Sequence, residues 1–512
     1  MRTSSQPASR WKIFGLAFAT MLAPMLLWAL ASPLGSIPDE PSHAIRAAAV
    51  VRGQFITEAW AKDPSMARSD VPRYVAEMKN FTCYAFRPTV TPACERPATG
   101  DQNAIVTTGN TATNNSPFYY AIVGLPTLLL DGTVALYAMR FVNAVLCAAA
   151  LSAMFMQLTM LARSRWTVAG AVIAVTPMVL FLSGSINPNA IEAASAGALF
   201  ATLAGLVRAP SIARVLWERA LIVVLSVLFL VNTRSISLLW LLLVFAAALA
   251  LADRGVLRSL LRKPAAWIAL GGSAVISIAA LLWFAHPPAL VQIPLAGAGT
   301  SAVAAFTSML VRTFDFADAY VGMFGWEDTP SPAFSLIVWS AAIVALIVVA
   351  FVWGSGRARW VVAGFGLTMV IVPPITQAII APHIGYIWQG RYMLAMLLCL
   401  LVACGMAIDN SFEERPLLGR GRVALITGIS LLAVGQVLSF VWTLRRYVVG
   451  ITGSVDSMVT HPAWQPPLGW ILLGVLLALW AILASAVVFR SANGGSTPEK
   501  FEIMANWSRT TH

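Results

Sequence analysis

Charged side chains are scarce in this sequence. Asp, Glu, Lys and Arg make up only 11% of the 512 residues, about half the share found in a typical soluble domain. Apolar side chains take their place, because 58% of the residues are hydrophobic and the mean hydropathy is +0.76. Apolar runs recur from one end of the chain to the other, which excludes a soluble globular protein. The composition predicts an all-α polytopic integral membrane protein.

Histidine and cysteine are also rare, with five of each. No CxxC pair and no Cys/His spacing typical of a metal site occurs, so the sequence indicates neither a cofactor nor a bound metal ion. In a matching context it also lacks the GxSxG, Walker and HExxH motifs. Cys83 and Cys94 share one polar loop, and they can pair as a disulfide if that loop is extracytoplasmic.

We predict twelve membrane-spanning helices from the apolar segments. They cover residues 13–33, 134–161, 166–184, 190–207, 219–232, 235–252, 265–285, 333–353, 360–380, 391–408, 423–444 and 468–489. The apolar core of the first has 19 residues, more than the roughly 7–15 residues of a cleaved signal peptide. All twelve belong to one membrane-embedded domain, 1–490, which a disordered cytoplasmic tail, 491–512, follows.

The net charge of +12 would suggest nucleic acid in a soluble protein, but here it indicates orientation and no nucleic-acid partner is predicted. With the N-terminus inside, the cytoplasmic side receives 20 of the 34 Lys and Arg residues and only seven of the 22 acidic residues. Basic residues concentrate on the cytoplasmic side of membrane proteins. The count therefore predicts that both termini are cytoplasmic.

This orientation places two polar loops outside, 34–116 and 286–332. The apolar segment 117–130 is too short to span, so we expect it to lie on the membrane surface or dip into it. From 303 to 324, apolar residues recur at steps of three and four, which predicts an amphipathic surface helix. The sequence gives no sign of a separate soluble domain or of an internal repeat.

Two carboxylates and an imidazole lie together where the first predicted span ends. Asp39 and His43 are four residues apart, Glu40 follows Asp39, and Arg46 lies three residues beyond His43. If Asp39 caps a short helix, these side chains share one face. Such a cluster at a membrane surface is either a functional site or the polar start of a helix in water.

Four arginines lie at the outer ends of the predicted spans, against the general charge trend: Arg234, Arg391, Arg445 and Arg446. Any one of them can be a headgroup anchor. Together they suit a lipid-linked phosphate, because arginine binds phosphate bidentately. The nearby carboxylates of Asp39 and Glu40 suit a general base. The pattern predicts an enzyme that acts at the outer leaflet on a phosphate-bearing lipid.

Several short motifs recur in an order that is typical of one family. A single span precedes Pro38-Asp39-Glu40-Pro41 and His43, and the later motifs are Ser116-Pro117-Phe118-Tyr119-Tyr120, Arg140-Phe141-Val142-Asn143, Ser185-Ile186-Asn187-Pro188-Asn189, Phe324-Gly325-Trp326-Glu327-Asp328 and Gln389-Gly390-Arg391-Tyr392. From about residue 11 to 446 the chain resembles the bacterial membrane-protein family called domain of unknown function 2142. Relatives often have Asn-Pro-Asp where this chain has Asn189, so the resemblance implies no acidic role there.

That family in turn resembles the GT-C glycosyltransferases, which are polytopic and use polyprenyl-phosphate sugars as donors. The resemblance implies that Asp39, with Glu40 beside it, is the catalytic carboxylate. From their positions we expect His43 and Arg46 to support it, with His43 orienting a carboxylate. The resemblance also implies a donor-phosphate site that consists of Arg391, Arg445, Arg446 and Arg234. We predict that the substrate groove is lined by Tyr119, Tyr120, Asn187, Asn189, Gln389 and Trp326.

The predicted reaction moves a sugar from a polyprenyl-phosphate donor, held in the membrane lipid, to a glycan or protein acceptor at the outer face of the bacterial cytoplasmic membrane. Asp39 would accept the proton of the acceptor hydroxyl, and Arg391 would stabilise the leaving phosphate.

Two alternative functions remain. A lipid or glycan transporter is compatible with twelve spans and with helix breaks at Pro177, Pro373 and Pro374, whereas a non-catalytic envelope-assembly protein would tolerate alanine at Asp39 and Glu40.

Overall fold

The computed structural model describes residues 6–56, 58–96, 99–287, 289–412 and 418–493. Most of the predicted tail, 491–512, lies outside these residues. The first ten helices are α1 (Gln6–Ala31), α2 (Glu40–Val50), α3 (Arg73–Ala76), α4 (Pro117–Val123), α5 (Gly132–Thr159), α6 (Arg165–Ala174), α7 (Pro177–Ser183), α8 (Pro188–Arg208), α9 (Ala213–Val231) and α10 (Ser237–Leu251). The next ten are α11 (Arg254–Leu260), α12 (Pro264–Ala285), α13 (Ala302–Val311), α14 (Asp318–Val321), α15 (Ala333–Trp353), α16 (Gly356–Ile380), α17 (Leu394–Asp409), α18 (Arg420–Val449), α19 (Val455–Thr460) and α20 (Trp470–Asn493).

Short 3₁₀ turns and five strands complete the secondary structure of the described residues. The turns are Glu77–Thr82, Pro92–Cys94, Ala112–Asn114, Leu125–Leu128, Thr313–Phe316 and Gly390–Met393. The strands are β1 (Ala59–Trp60), β2 (Asp63–Pro72), β3 (Ile105–Asn110), β4 (Met323–Phe324) and β5 (Thr329–Pro330). They form an antiparallel sheet of order β1-β2-β3 and a separate β4-β5 hairpin.

Each of the twelve predicted spans falls on helix in the structure. Among the described residues, nine helices are long and apolar enough to cross a membrane, and two bent helix pairs raise the number to eleven. The fifth predicted span corresponds to α9, which is not among these helices because it carries three charged residues, Arg214, Glu218 and Arg219, in its first two turns. The all-α polytopic class is therefore confirmed.

Helices α8 and α17 form the centre of the bundle. Every residue of the apolar window of α8 is buried, and nearly every residue of that of α17. Close helix packing explains the glycines here, because a Cβ on Gly197 would lie 2.2 Å from Leu398, and one on Gly405 would lie 2.2 Å from the Trp166 carbonyl oxygen. Small residues at such contacts let helix backbones approach within a membrane.

The polar segments gather at one end of the bundle, here called the loop end, which consists of the described residues of 34–131 and 286–332 with the helix ends beside them. Trp283 Nε1 donates to the Asn114 carbonyl at 3.1 Å, and the Val291 amide donates to the Pro64 carbonyl at 2.9 Å. Residues 34–116 contain α2 and the three-stranded sheet, in which β2 pairs with β3 from Ala67↔Asn110 to Pro72↔Ile105. The sheet was not predicted.

The predicted surface helix 303–324 is wrong as a continuous element. Helix α13 covers only its first half, and the chain continues as a 3₁₀ turn, the short α14 and then β4. Helix α13 ends at Val311. Just beyond it, Thr313 Oγ1 donates to the Met309 carbonyl at 3.0 Å, a local side chain-to-backbone bond of the kind that competes with regular helix. The segment 117–130 likewise divides into α4 and the turn Leu125–Leu128 at Gly124, where a Cβ would lie 2.3 Å from the Ala47 carbonyl oxygen.

The third predicted span is broken rather than straight. Helices α6 and α7 meet at an angle of 62°, because Pro177 begins the second helix and Thr176 caps it through the Val179 amide. The turn 184–187, which follows α7, lies at the loop end, where the Ile186 amide donates to Glu40. In contrast, Pro373 and Pro374 lie within the continuous helix α16.

Candidate functional site

A polar cavity of about 210 Å³ opens at the loop end. Its walls come from the turn before α2 and the first turn of that helix, the 110–116 segment, the start of α8, the turn between α9 and α10, and the 3₁₀ turn before α17. The lining residues are Asp39, His43, Thr111, Ala112, Asn115, Pro188, Asn189, Arg234, Arg391 and Tyr392. Side chains from sequence positions more than 350 residues apart therefore converge on one space.

Asp39 presents its carboxylate to this cavity instead of capping α2. It occupies the N-cap position with φ 68° and ψ −6°, and its side chain makes no capping hydrogen bond, so the predicted capping role is wrong. The left-handed conformation is uncommon for a residue with a Cβ, although Asp and Asn adopt it most readily. The side chain is 54% exposed, and its Oδ2 lies 3.2 Å from Arg391 Nη2.

Arg391 is shared between two carboxylates. Its side chain is almost completely buried, and its Nη1 lies 3.2 Å from Glu327 Oε1. Glu327 is held in the turn of the β4-β5 hairpin with φ 57°. Burial raises the pKa of the Glu327 carboxyl, and the nearby Arg391 charge opposes that shift. The Arg391 guanidinium thus pairs with the Asp39 and Glu327 carboxylates and also lines the cavity.

Arg234 provides the second guanidinium. Its Cζ lies 3.7 Å from the centroid of the Tyr392 ring, a cation–π stack, and its Nη1 donates to Asn189 Oδ1 at 3.0 Å. The backbone of Asn189 is itself fixed, because its backbone N–H donates to Oδ1 of Asn187, the N-cap residue of α8, at 2.9 Å. The start of α8 therefore orients Arg234 toward the cavity.

His43 has Tyr120 as its hydrogen-bond partner, not a carboxylate. Its Nδ1 lies 2.8 Å from the Tyr120 hydroxyl, and Asn115 Nδ2 donates to the same hydroxyl at 2.9 Å. Burial lowers the pKa of His43 to about 4, although the Asp39 charge opposes the shift. The imidazole is therefore neutral near pH 7, and this part of the wall is hydrogen-bonding but uncharged.

Glu40 lies behind the cavity in a buried ion pair with Arg140. Both side chains are completely buried, and Arg140 Nη2 lies 2.6 Å from Glu40 Oε2. Two backbone amides, of Gly35 at 3.0 Å and Ile186 at 3.1 Å, also donate to this carboxylate. With its oxygens occupied and no exposure, Glu40 fits a structural role and not the catalytic role that the sequence suggested.

Three of the predicted arginines do not line the cavity. Arg46 donates to the Gln54 and Phe55 carbonyls, and burial lowers its pKa. Arg445 donates to the Gly453 carbonyl and lies over the Trp442 ring. Of the four outer arginines that the sequence assigned to a donor phosphate, Arg234 and Arg391 line the cavity, and their role there stays a prediction.

Arg446 instead fixes a loop that a disulfide closes. Cys83 and Cys94 are bonded, and between them Arg446 donates to the carbonyls of Tyr84, Arg87 and Val90. It also pairs with Asp328 at 2.9 Å, the residue after Glu327 in the hairpin turn. Phe86 of the same loop packs on Trp326 of that turn, with ring centroids 5.4 Å apart. The loop thus supports the hairpin that holds Glu327 against Arg391.

We expect Arg446→Ala to loosen this loop, because three carbonyls and the buried Asp328 carboxylate lose their donor. Hydrogen exchange of residues 83–94 should accelerate by about tenfold or more, since each buried unpaired group costs about 1–3 kcal/mol. Arg445→Ala is the matched control, because the Arg445 guanidinium donates to the Gly453 carbonyl and not to the loop or to Asp328. Equal exchange in the two variants would contradict the assigned support.

The other predicted groove residues surround the cavity without lining it. Tyr119 donates to Asn143 Oδ1 at 2.9 Å, and Trp326 Nε1 donates to the Gly35 carbonyl at 2.9 Å. Gln389 directly precedes the 3₁₀ turn that carries Arg391. Tyr120 and Asn187 contact residues that do line the cavity: Tyr120 bonds to His43, and Asn187 accepts from Asn189.

No group of three or more His, Cys, Asp or Glu side chains that could hold a metal ion occurs among the residues that the structure describes. The charged groups around the cavity are instead two guanidiniums, Arg234 and Arg391, and two carboxylates, Asp39 and Glu327. Their formal charges cancel. An entering anion would therefore compete with Asp39 for Arg391.

Sequence reasoning did not assign roles to Tyr392, Asn115, Glu327 and Arg140. Three of them lie in motifs that were noticed, Gln389-Gly390-Arg391-Tyr392, Phe324-Gly325-Trp326-Glu327-Asp328 and Arg140-Phe141-Val142-Asn143. The sequence shows these three residues, but each has its partner at least 64 residues away in the chain. Asn115 carried no signal beyond its position just before Ser116-Pro117.

Comparison with protein families finds a match over most of the chain. No curated protein matches the chain. The family described as "Predicted membrane protein (DUF2142)" matches residues 22–400, a range that contains every residue of the cavity wall. The match confirms the family resemblance of the sequence motifs, and because it covers most of the chain, this protein belongs to the DUF2142 family of predicted membrane proteins.

Proposed function

We propose that this protein is a glycosyltransferase that moves a sugar from a polyprenyl-phosphate donor to a glycan or protein acceptor of the cell envelope. One observation carries the proposal. A half-exposed carboxylate, Asp39, and two guanidiniums, Arg391 and Arg234, line one cavity at the end of a membrane helix bundle. A base beside an anion site at a membrane boundary suits a donor whose reacting bond joins a sugar to a lipid phosphate.

The guanidiniums would bind the donor phosphate. Arginine presents planar N–H donors that match phosphate oxygens, and it keeps its charge when it is buried. Arg391 is 1% exposed in its side chain, so its charge acts with little screening by water. Arg234 is held by its stack on Tyr392 and its bond to Asn189. Both groups are thus preorganised for an anion, which favours stabilisation of the departing phosphate.

The reaction would proceed by direct displacement. The acceptor hydroxyl oxygen forms a bond to the anomeric carbon, the bond from that carbon to the phosphate oxygen breaks, and polyprenyl phosphate leaves with the electron pair. The hydroxyl proton passes to the Asp39 carboxylate. Asp39 pairs with Arg391 at 3.2 Å. A bound phosphate would take over Arg391 and release Asp39 for the hydroxyl.

The membrane setting is also part of the proposal. The distribution of Lys and Arg favours a cytoplasmic-membrane protein with both termini inside, which would place the loop end on the outer face. A disulfide between Cys83 and Cys94 at this end agrees with an oxidising compartment. Donor lipid would then enter from the outer leaflet, and the acceptor would come from the cell envelope.

Purified protein in liposomes, supplied with a panel of polyprenyl-phosphate sugars and an envelope glycan acceptor, tests the proposal by transfer of label to the acceptor. Arg391→Gln and Arg234→Gln should each lower kcat by about 10²–10³-fold, because each removes a donor aimed at the developing charge. Arg445→Gln is the matched control, since this arginine lies at the same end outside the cavity, and it should retain full activity.

Equal losses in all three variants would contradict a phosphate site in the cavity. Retained transfer in both cavity variants would do the same. Absence of transfer from every donor, in protein that is folded by circular dichroism, would overturn the glycosyltransferase proposal itself.

A lipid or glycan transporter is the second candidate, favoured by the 62° break between α6 and α7. Broken helices are typical of transporters, where they bind substrate near the bilayer midplane. The same liposomes distinguish the two functions. Movement of labelled donor lipid between leaflets without bond cleavage would support transport, and cleavage of the sugar–phosphate bond would exclude it as the main activity.

A further inference from the structure

A second cavity, apolar instead of polar, lies among the membrane helices. It has a volume of about 100 Å³ and is lined by residues of α1, α5, α6, α7, α15, α18 and α20. On α18 its wall runs from Ile429 to Gln436, and on α20 from Trp480 to Val488. At 1.5 Å per residue these stretches are about 11 Å and 12 Å long. The cavity is therefore elongated along the helices, a shape that suits one hydrocarbon chain.

Two buried N–H donors on this wall have no hydrogen-bond partner among the residues that the structure describes. They are Nε2 of Gln436 and Nε1 of Trp339. In contrast, Nε1 of Trp480, on the same wall, donates to the Thr20 carbonyl at 2.7 Å. A Cβ on Gly435 would lie 3.1 Å from Trp339 Nε1, so this indole N–H lies beside the residue that precedes Gln436. A buried N–H without an acceptor is costly, and the pair therefore indicates a ligand that brings an acceptor.

The depth of the two donors indicates which acceptor they meet. Helix α15 has 21 residues, which makes it about 30 Å long, the thickness of the hydrocarbon core of a bilayer. Ser335, in its first turn, donates to the Gly435 carbonyl at 2.8 Å, so Gln436 lies near the loop end of that core. The Trp339 side chain reaches the same depth, because long side chains in a helix lean towards its N-terminus. The ester carbonyls of a phospholipid lie where the headgroup region meets the core.

We propose that this cavity binds one acyl chain of a membrane phospholipid, and that Gln436 and Trp339 donate to the ester carbonyl of that chain. A carbonyl oxygen has two lone pairs and can accept from both N–H groups. Partly exposed wall residues, such as Met21, Ile429 and Ala484, suit entry of the chain from the surrounding lipid. The site shares no wall residue with the polar cavity, so it does not depend on the proposed sugar transfer.

The hydrogen bonds, and not the apolar walls, give the site its selectivity. Inside a bilayer an acyl chain gains little by leaving other lipid chains for an apolar wall, because both are equally apolar. The two N–H groups gain an acceptor only from a chain that carries a carbonyl at their depth. A polyprenyl chain carries none, and it would leave both donors unpaired. The geometry therefore favours a diacyl lipid over the polyprenyl-phosphate donor as the occupant.

The test compares a diacyl phosphatidylglycerol with its dialkyl ether analogue, which has the same headgroup and chain lengths but no ester carbonyl. Delipidated wild-type protein in detergent should bind the diacyl lipid about tenfold more tightly, because the ether lipid leaves both donors unpaired. Native mass spectrometry over a titration with each lipid measures the two Kd values.

Gln436→Leu and Trp339→Phe each remove one N–H donor and keep an apolar side chain in the wall. Each should reduce the preference for the diacyl lipid to about threefold, since one of the two hydrogen bonds is lost. Trp353→Phe is the matched control, because Trp353 lies on the same helix but is exposed and outside the cavity. It should keep the full preference.

Ala484→Phe tests the position of the bound chain. The larger side chain should fill the cavity and weaken binding of both lipids by about tenfold. Ala486→Phe is its control, because Ala486 is an exposed residue of the same helix and does not line the cavity, and it should leave both Kd values unchanged.

Equal affinity of the wild-type protein for the two lipids would overturn the proposal, because the donors would then not recognise an ester carbonyl. A full preference that persists in both Gln436→Leu and Trp339→Phe would overturn it as well. Equal effects of Ala484→Phe and Ala486→Phe would locate the bound chain outside this cavity, with the same consequence.

Discussion

Replacing Asp39 with asparagine should abolish sugar transfer and leave the fold intact. The side chain is 54% exposed and makes no capping bond to α2, so its charge contributes little to packing. Asparagine tolerates the left-handed backbone at φ 68° about as well as aspartate, and its amide oxygen can still accept from Arg391. What the variant loses is the base, a loss of about 10²–10⁴-fold in kcat.

The measurement is initial rate of transfer in liposomes at matched protein amounts, with thermal unfolding as the check on the fold. Asp315→Asn is the control, because Asp315 pairs with Arg312 at the same end of the bundle but does not line the cavity. Full activity of Asp39→Asn would show that the base is another group. Glu327→Gln would then identify the second carboxylate on Arg391 as that base or exclude it.

The membrane helices could be predicted from the sequence because their cause is local. An apolar run of about 20 residues fixes a spanning helix regardless of what surrounds it, and each predicted segment is helical. The sheet β1-β2-β3 was missed because its pairing joins residues far apart in the chain, such as Ala67 and Asn110. The prediction of a continuous 303–324 helix was wrong because regular apolar spacing does not reveal local side chain-to-backbone bonds such as that of Thr313 to the Met309 carbonyl.

Part of the site could also be predicted from position. Asp39, Asn189, Arg234 and Arg391 each lie at the end of a predicted span, and polar groups there lie near one another if their spans pack together. The structure brings all four to one cavity. His43 lies there as well, although its partner is Tyr120 and not the expected carboxylate.

The different environments of Asp39, which lines the cavity, and Glu40, which is buried against Arg140, could not be predicted. The two residues are adjacent, of the same type and equally close to the end of the first span. Their side chains diverge because Asp39 adopts a left-handed conformation before α2 begins, so one carboxylate points to the cavity and the other to Arg140. Neighbouring arginines are divided in the same way, since Arg446 is buried against a loop while Arg445 is not.

The Glu40–Arg140 pair should be the most sensitive structural point of the loop end. Arg140 uses all five of its N–H donors: Nε and Nη2 bind the Glu40 carboxylate, and the remaining donors bind the carbonyls of Ala29, Ser32 and Pro33. Glu40 also accepts from Gly35 and Ile186. One ion pair therefore joins the end of α1, the start of α2, the outer part of α5 and the turn before α8.

Glu40→Gln and Arg140→Met should each destabilise the protein by about 3–5 kcal/mol, because each leaves one buried charge without its partner. The double variant Glu40→Leu/Arg140→Met removes both charges, so its loss should be clearly smaller than the sum of the single losses. Unfolding in mixed detergent micelles, followed by tryptophan fluorescence, measures all of them. Transfer activity should fall with the loss of folded protein and not beyond it. Strictly additive losses would contradict the coupling of the two side chains. Lost activity in a variant that stays fully folded would return Glu40 to the catalytic role that the sequence first suggested.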